Sequence, residues 1–191
     1  MRPEIRPKNR AAWRIWLADN HGSGPGVWLI WRKKGSTTSD LSLEAAVEEA
    51  LCFGWIDSRL RPIDREWAAL MFTPRRPRSI WSQSNKRRVA SLIKRGLMTE
   101  AGLRAVAVAK RNGSWSALDG VQALQVPDDL AGALAKKPAA RRNFDTSSAS
   151  AKRSALWWIQ SAKRPQTRER RIQETVRRLN YPGEISGSLQ R

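Results

Sequence analysis

The densest run of anion-seeking side chains is Pro74-Arg75-Arg76-Pro77-Arg78-Ser79-Ile80-Trp81-Ser82, followed by Asn85. Pro74 and Pro77 stiffen the backbone, and a guanidinium on a stiff loop suits two-point contact with phosphate or carboxylate. Ser79, Ser82 and Asn85 add polar groups at the start of an expected helix, whose free N–H groups favour negative charge. Trp81 offers an apolar wall. Upstream, Trp55-Ile56-Asp57-Ser58 adds an indole that can stack a ligand and a carboxylate that can serve as a general base. The candidate ligand-binding set is therefore Trp55, Asp57, Arg75, Arg76, Ser79, Trp81, Ser82 and Asn85.

Each of these residues also has a plain structural reading. A tryptophan opening a strand suits the core. Asp57 can ion-pair with Arg59, Arg61, Arg75 or Arg76. Ser82 is a natural helix cap, and no identified base accompanies it as it would a nucleophile. Ser91-Leu92-Ile93-Lys94 has the Ser-x-x-Lys form, but it falls inside an expected helix, where chance explains it.

The rarest residues exclude more. With one cysteine, Cys52, and one histidine, His21, the chain has no intramolecular disulfide and no Cys/His zinc site. Cys52 lies between Leu51 and Phe53 and reads as a small buried hydrophobe, and His21 beside a glycine-rich loop reads as exposed. Gly22, Gly24 and Gly26 precede an expected strand, whereas a dinucleotide fingerprint follows one. No metal and no cofactor is expected. The start of the chain has no apolar stretch, and 27–31 is far too short to span a bilayer. The expected location is the cytoplasm, with no transmembrane segment and with Cys52 reduced.

The elements that must position these residues follow from caps and periodicity. Asn9 can cap a helix over 10–20 with Ala12, Trp13, Trp16 and Leu17 inward. Residues 27–31 read as a strand buried on both faces. Ser42 can cap a helix whose stripe is Leu43, Ala46, Val47, Ala50 and Leu51, with Glu44, Glu48 and Glu49 in water. Gly54 would end it. Residues 55–61 and 66–73 read as an antiparallel pair around a turn at 62–65. Ser82 or Ser84 opens a helix to Arg95 with Val89, Leu92 and Ile93 inward, and Thr99 opens another over 100–111. This gives α-β-α-β-β-α-α, an α+β domain over 9–115. A linker is expected over 114–127. A helical C-terminal module follows over 121–183, with helices near 128–137 and 138–144, one opened by Ser147 or Ser148 that holds Leu156, Trp157 and Ile159, and a last one from Pro165. Residues 1–8 and 184–191 read as flexible ends.

Charge singles out the same loop. The 191 residues hold 36 Lys plus Arg against 17 Asp plus Glu, a net charge of +19, together with ten tryptophans. Residues 1–58 are near neutral, with eight basic and seven acidic residues. Residues 59–111 hold fourteen basic and three acidic residues, and 121–191 hold fourteen and six. Solvated helix faces account for such runs. So does an anionic ligand or surface, or a nucleic acid, as partner. No zinc finger, basic zipper or aromatic RNA-binding signature is present.

Leu51-Cys52-Phe53-Gly54-Trp55-Ile56-Asp57-Ser58 and Phe72-Thr73-Pro74-Arg75-Arg76-Pro77-Arg78-Ser79-Ile80-Trp81-Ser82 with Asn85 resemble signatures of the bacterial YdeI/OmpD-associated family. So do Gly96-Leu97-Met98 with Ala101-Gly102, and Trp158-Ile159 through Ala162-Lys163-Arg164, Thr167-Arg168 and Arg171-Ile172. The resemblance spans 9–182. It implies a role in bacteriocin protection, with porin association by label, and it carries no established catalytic mechanism. The leading expectation is a non-enzymatic, anion-binding protein linked to bacteriocin or cationic-peptide tolerance. The alternatives are a basic nucleic-acid-binding protein, or an enzyme using Asp57 as base with Arg75 and Arg76 stabilising developing negative charge.

Overall fold

The computed structural model describes residues 2–22, 24–33 and 41–181. The chain forms two compact units, Met1–Ala117 and Leu118–Arg191. The first is α+β. Its elements are β1 (Glu4–Ile5), α1 (Arg10–Asn20), β2 (Val27–Arg32), α2 (Leu43–Cys52), β3 (Trp55–Pro62), β4 (Trp67–Pro74), α3 (Gln83–Lys94) and α4 (Glu100–Arg111). The second is helical: α5 (Asp119–Gln122), α6 (Asp128–Ala135), α7 (Pro138–Thr146), α8 (Ala149–Gln160) and α9 (Pro165–Asn180).

Local chemistry starts the helices where caps allow. Asn9, Ser42, Ser82, Thr99 and Ser148 each accept a hydrogen bond from the backbone N–H three residues on, which satisfies a donor the helix cannot. Prolines open α7 and α9, where a missing N–H costs nothing.

The strands form one sheet in the order β1-β2-β4-β3. β4 is central and antiparallel to both neighbours, pairing Leu29 with Leu70 and Trp55 with Pro74. Val27, Leu29, Leu70 and Phe72 share one face and enter a core with Trp13, Leu17, Ala46, Leu51 and Trp55. Trp13 locks α1 to α2 by donating its Nε1–H to the Ala46 carbonyl at 3.0 Å. Its ring lies 5.4 Å from Phe72. The second unit has its own core of Val121, Leu130, Leu134, Ala140, Phe144, Leu156, Ile159, Ile172 and Val176.

Several expectations need correction. The expected arm at 1–8 contains β1, which pairs in parallel with β2, and Arg61 binds Glu4 at 2.6 Å. β2 is fully buried on one face only. Trp28 and Ile30 are half-buried, and the Arg61 guanidinium lies 4.7 Å from the Trp28 ring. Leu43 and Ile93, expected inward, are exposed because they lie off the contact stripe of their helices. Glu49, expected in water, is buried because Arg10 Nε and Arg14 Nη1 each reach it at 2.6 Å. The expected linker at 114–127 is ordered. Ser114 is buried, Trp115 packs on the first core, and Val121 of α5 belongs to the second. Gly35, Gly183 and 184–191 lie outside the described residues.

Candidate functional site

The loop that follows β4 is built onto the end of α2 and the end of α4. Gly54 terminates α2 with φ +74°, a conformation open to glycine, and its carbonyl accepts from the Arg75 N–H at 3.0 Å. The Pro77 carbonyl accepts from Asn112 Nδ2 at 2.7 Å, and the Trp81 N–H donates to the Ser114 carbonyl at 3.3 Å. The Ser79 N–H closes a turn onto the Arg76 carbonyl at 2.9 Å. Two prolines and these four hydrogen bonds hold the segment in one shape.

At its centre is a cation–aromatic stack. The Arg75 guanidinium lies 3.6 Å from the centroid of the Trp81 ring. Behind Trp81, at 5.0 Å, stands Trp115. Lys86 Nζ and Lys110 Nζ lie 5.6 Å and 5.5 Å from the Trp115 ring. Each contact of this type pairs a cation with a ring's negative face.

Arg75 is also electrostatically uncomfortable. Burial pulls its guanidinium down to about 10, with the Asp57 carboxylate pulling the other way. Its Nη1 donates to the Ile80 carbonyl at 3.4 Å. Its Nε and Nη2 are buried without an acceptor, and among the described residues no other arginine has both atoms so placed. These two atoms form the edge that grips a carboxylate. The chain uses that same edge in Arg168 on Asp129, at 2.6 and 2.9 Å, and in Arg177 on Glu174, at 2.9 and 3.1 Å. Asp57 sits opposite Phe72 on β3 and makes no side-chain hydrogen bond or ion pair among the described residues.

The other candidates divide. Ser82 caps α3 through Asn85 N–H at 3.2 Å and shares a hydroxyl contact with Ser84 at 3.0 Å. Asn85 is buried, and its Oδ1 accepts from Arg88 at 3.3 Å. Ser79 is half-buried, while Arg76 is exposed. Trp55 belongs to the core: it is 1% exposed, meets Trp16 edge-on at 5.9 Å, and donates Nε1–H to the His21 carbonyl at 3.1 Å. His21, expected exposed, is half-buried, with its ring 5.3 Å from Phe53. Cys52 is fully buried, and burial pushes its thiol up. Asn112, Ser114, Trp115 and the two lysines were not among the sequence candidates. The glycine closing α4 at 113 was the available sign that the chain turns back there.

Among the described residues, no group of three His, Cys, Asp or Glu side chains could hold a metal ion, and no helix is long and apolar enough to cross a membrane. Residues 5–105 match the family model described as a domain of unknown function (DUF8412). Residues 123–180 match the model described as bacteriocin-protection, YdeI or OmpD-associated. No curated protein and no solved structure matches the chain. The loop and the hairpin thus fall under the first match, and α6 to α9 fall under the second. The first match covers more than half of the chain, so the protein belongs to the DUF8412 family, and it carries a YdeI/OmpD-associated segment in its C-terminal helices.

Proposed function

We propose that the protein is a non-enzymatic anion-binding protein linked to tolerance of bacteriocins or cationic peptides, and that Arg75 is its anion anchor. The observation that carries this reading is the Nε/Nη2 edge of Arg75, buried without an acceptor. A buried N–H left unpaired costs ~1–3 kcal/mol, and more on a charged group. A bound carboxylate or phosphate would remove that cost through two parallel hydrogen bonds. Trp81 fixes the plane of the fork, and Arg76 and Arg78 on the same loop add attraction without contact. The edge is covered, so an incoming anion has to move a neighbouring side chain to reach it. Asp57 is the internal competitor for the same charge.

A net charge of +19 disfavours direct capture of a cationic peptide. Occupying the anionic surface that such a peptide seeks is the physically easier route to protection. The test is a thermal-shift screen with inorganic phosphate and small dicarboxylates. Binding raises the wild-type melting temperature by mass action. Arg75→Lys keeps the charge but removes the fork, and it should lose the shift, as should the Arg75→Ala/Arg76→Ala double variant. An equal shift in all three proteins removes Arg75 from the proposal.

The exposed arginines Arg59, Arg61 and Arg65 of the β3–β4 hairpin, with Arg76 and Arg78, favour a second reading as a nucleic-acid-binding protein. That reading requires affinity for single- or double-stranded oligonucleotides to fall steeply with salt, because phosphate contacts release counterions. Binding that is weak and indifferent to salt excludes it.

A further inference from the structure

The second unit holds a cavity of about 390 Å³ between α7, α8 and α9. Its origin lies in the sequence of α8. Ala151 and Ala155 lie one turn apart on one face, so a shallow carbon-walled trough remains between Phe144, Trp158 and Leu179. The size falls in the range of small-molecule sites, roughly 300–1,000 Å³, and the space between bundle helices is a usual place for one.

The charged side chains that line the cavity, Lys152 and Arg178, are both cationic. Lys152 Nζ lies 5.8 Å from the Phe144 ring centroid and gives one of its three N–H groups to the Asp145 carbonyl at 2.8 Å. The Arg178 guanidinium lies 5.6 Å from the Trp158 ring, and Arg171 lies 5.3 Å from it on the same indole. Arg178 is held from the α9 side by Glu174 at 2.6 Å. Among the described residues that line the cavity there is no carboxylate. Apolar walls, two aromatic rings and a cationic mouth match one kind of guest: a hydrocarbon body with a single negative head. A cationic amphiphile meets the same walls but the wrong rim, and a sugar phosphate meets walls with few hydrogen-bonding groups.

We infer that this cavity binds a medium-chain fatty carboxylate, with its chain along Phe144 and Trp158 and its head at Lys152 and Arg178. The site is in a different unit from Arg75 and does not depend on the anchor proposed there.

Calorimetric titration of the full chain with decanoate, kept below its micelle concentration, tests this. Decanoate should bind saturably, and decyltrimethylammonium at least tenfold more weakly. Ala155→Trp fills the trough and should weaken decanoate binding at least tenfold. Ala151→Phe, at an exposed position, provides the same blockade should the first variant not fold. Lys152→Met keeps the carbon stem and should weaken decanoate several-fold while leaving decanol unchanged. The loss caused by Ala155→Trp should be the same in the wild-type and Arg75→Lys backgrounds, which separates this site from the Arg75 anchor. Equal binding of decanoate and the alkylammonium, wild-type affinity in the filled variants, or association with anionic vesicles without decanoate binding would each overturn the inference.

Discussion

Arg75 and Trp81 form a closed pair: the guanidinium lies over the ring, 3.6 Å from the centroid of an indole that is 1% exposed. The contact gives back part of what burial costs, since cation–π attraction reaches ~2 kcal/mol or more when desolvated. It leaves two nitrogens, Nε and Nη2, unpaired. Arg75→Met should therefore stabilise the free protein by ~1 kcal/mol, because the thioether stem still packs on the ring and no donor is stranded. Urea unfolding of the two proteins measures this. A large loss of stability in Arg75→Met would mean that the guanidinium is a structural strut and not a stored binding group.

Asp57 offers the complementary substitution. Its charge supports the protonated Arg75 without bonding to it. Asp57→Asn should tighten anion binding, because a competing negative charge is gone, while leaving the fold intact. The check is the phosphate-induced thermal shift in the two proteins. Unchanged or weaker binding in Asp57→Asn would show that the carboxylate positions the arginine.

Glu49 is buried at 3% exposure between Arg10 and Arg14, each about one-third exposed. Arg14 Nη2 also reaches the Leu97 carbonyl at 3.0 Å, so this carboxylate ties α1, α2 and the turn after α3 together. Removing the cations strands the acid. The Arg10→Met/Arg14→Met double variant should lose ~3–5 kcal/mol, as expected when a buried ion loses its partners. Glu49→Gln should lose less, because the freed guanidiniums can reach water. Chemical denaturation of both variants gives the order, and the reverse order would refute this account.

The contrast between Glu49 and the helix caps shows what was legible in the sequence. Asn9, Ser42, Ser82 and Thr99 act on an N–H three residues away, so their role is written locally. The burial of Glu49 depends on arginines 39 and 35 residues away, and no periodicity carries that information. β1 is likewise only two residues long and exists through its pairing with β2. The adjacency of Arg75 and Trp81 could be read from one rigid loop. The support given by Asn112 and Ser114 could not, since the chain returns to Pro77 only after two helices.

Gly102 sets the approach of α4 to α2. A Cβ there would stand 2.2 Å from the Cys52 carbonyl oxygen, which already accepts from Thr99 Oγ1 at 2.6 Å. That neighbour is backbone and cannot move aside. Gly102→Ala should cost ~1–3 kcal/mol or more through forced displacement of α4. Gly132 in α6 has nothing within 4 Å of its Cβ position, and Gly132→Ala should stabilise by ~0.4–1 kcal/mol. Melting temperatures of the pair should move in opposite directions.

Glu174 gives the second unit a defined acid response. Hydrogen bonds from Arg177 and Arg178 hold its carboxyl at about 2, well below its ordinary 4.5. A depressed carboxyl contributes stability that is fully present above 4.5 and is lost as the pH falls towards 2. Asp129, held low by Arg168, works in the same direction. Amide hydrogen exchange along α9 in the full chain should therefore show protection falling between pH 4.5 and 2. In Glu174→Gln, α9 should be less protected than wild type at pH 6, and the difference should close as the wild-type carboxyl takes up its proton. A difference that stays constant over this range would place the effect of the substitution in packing instead of charge.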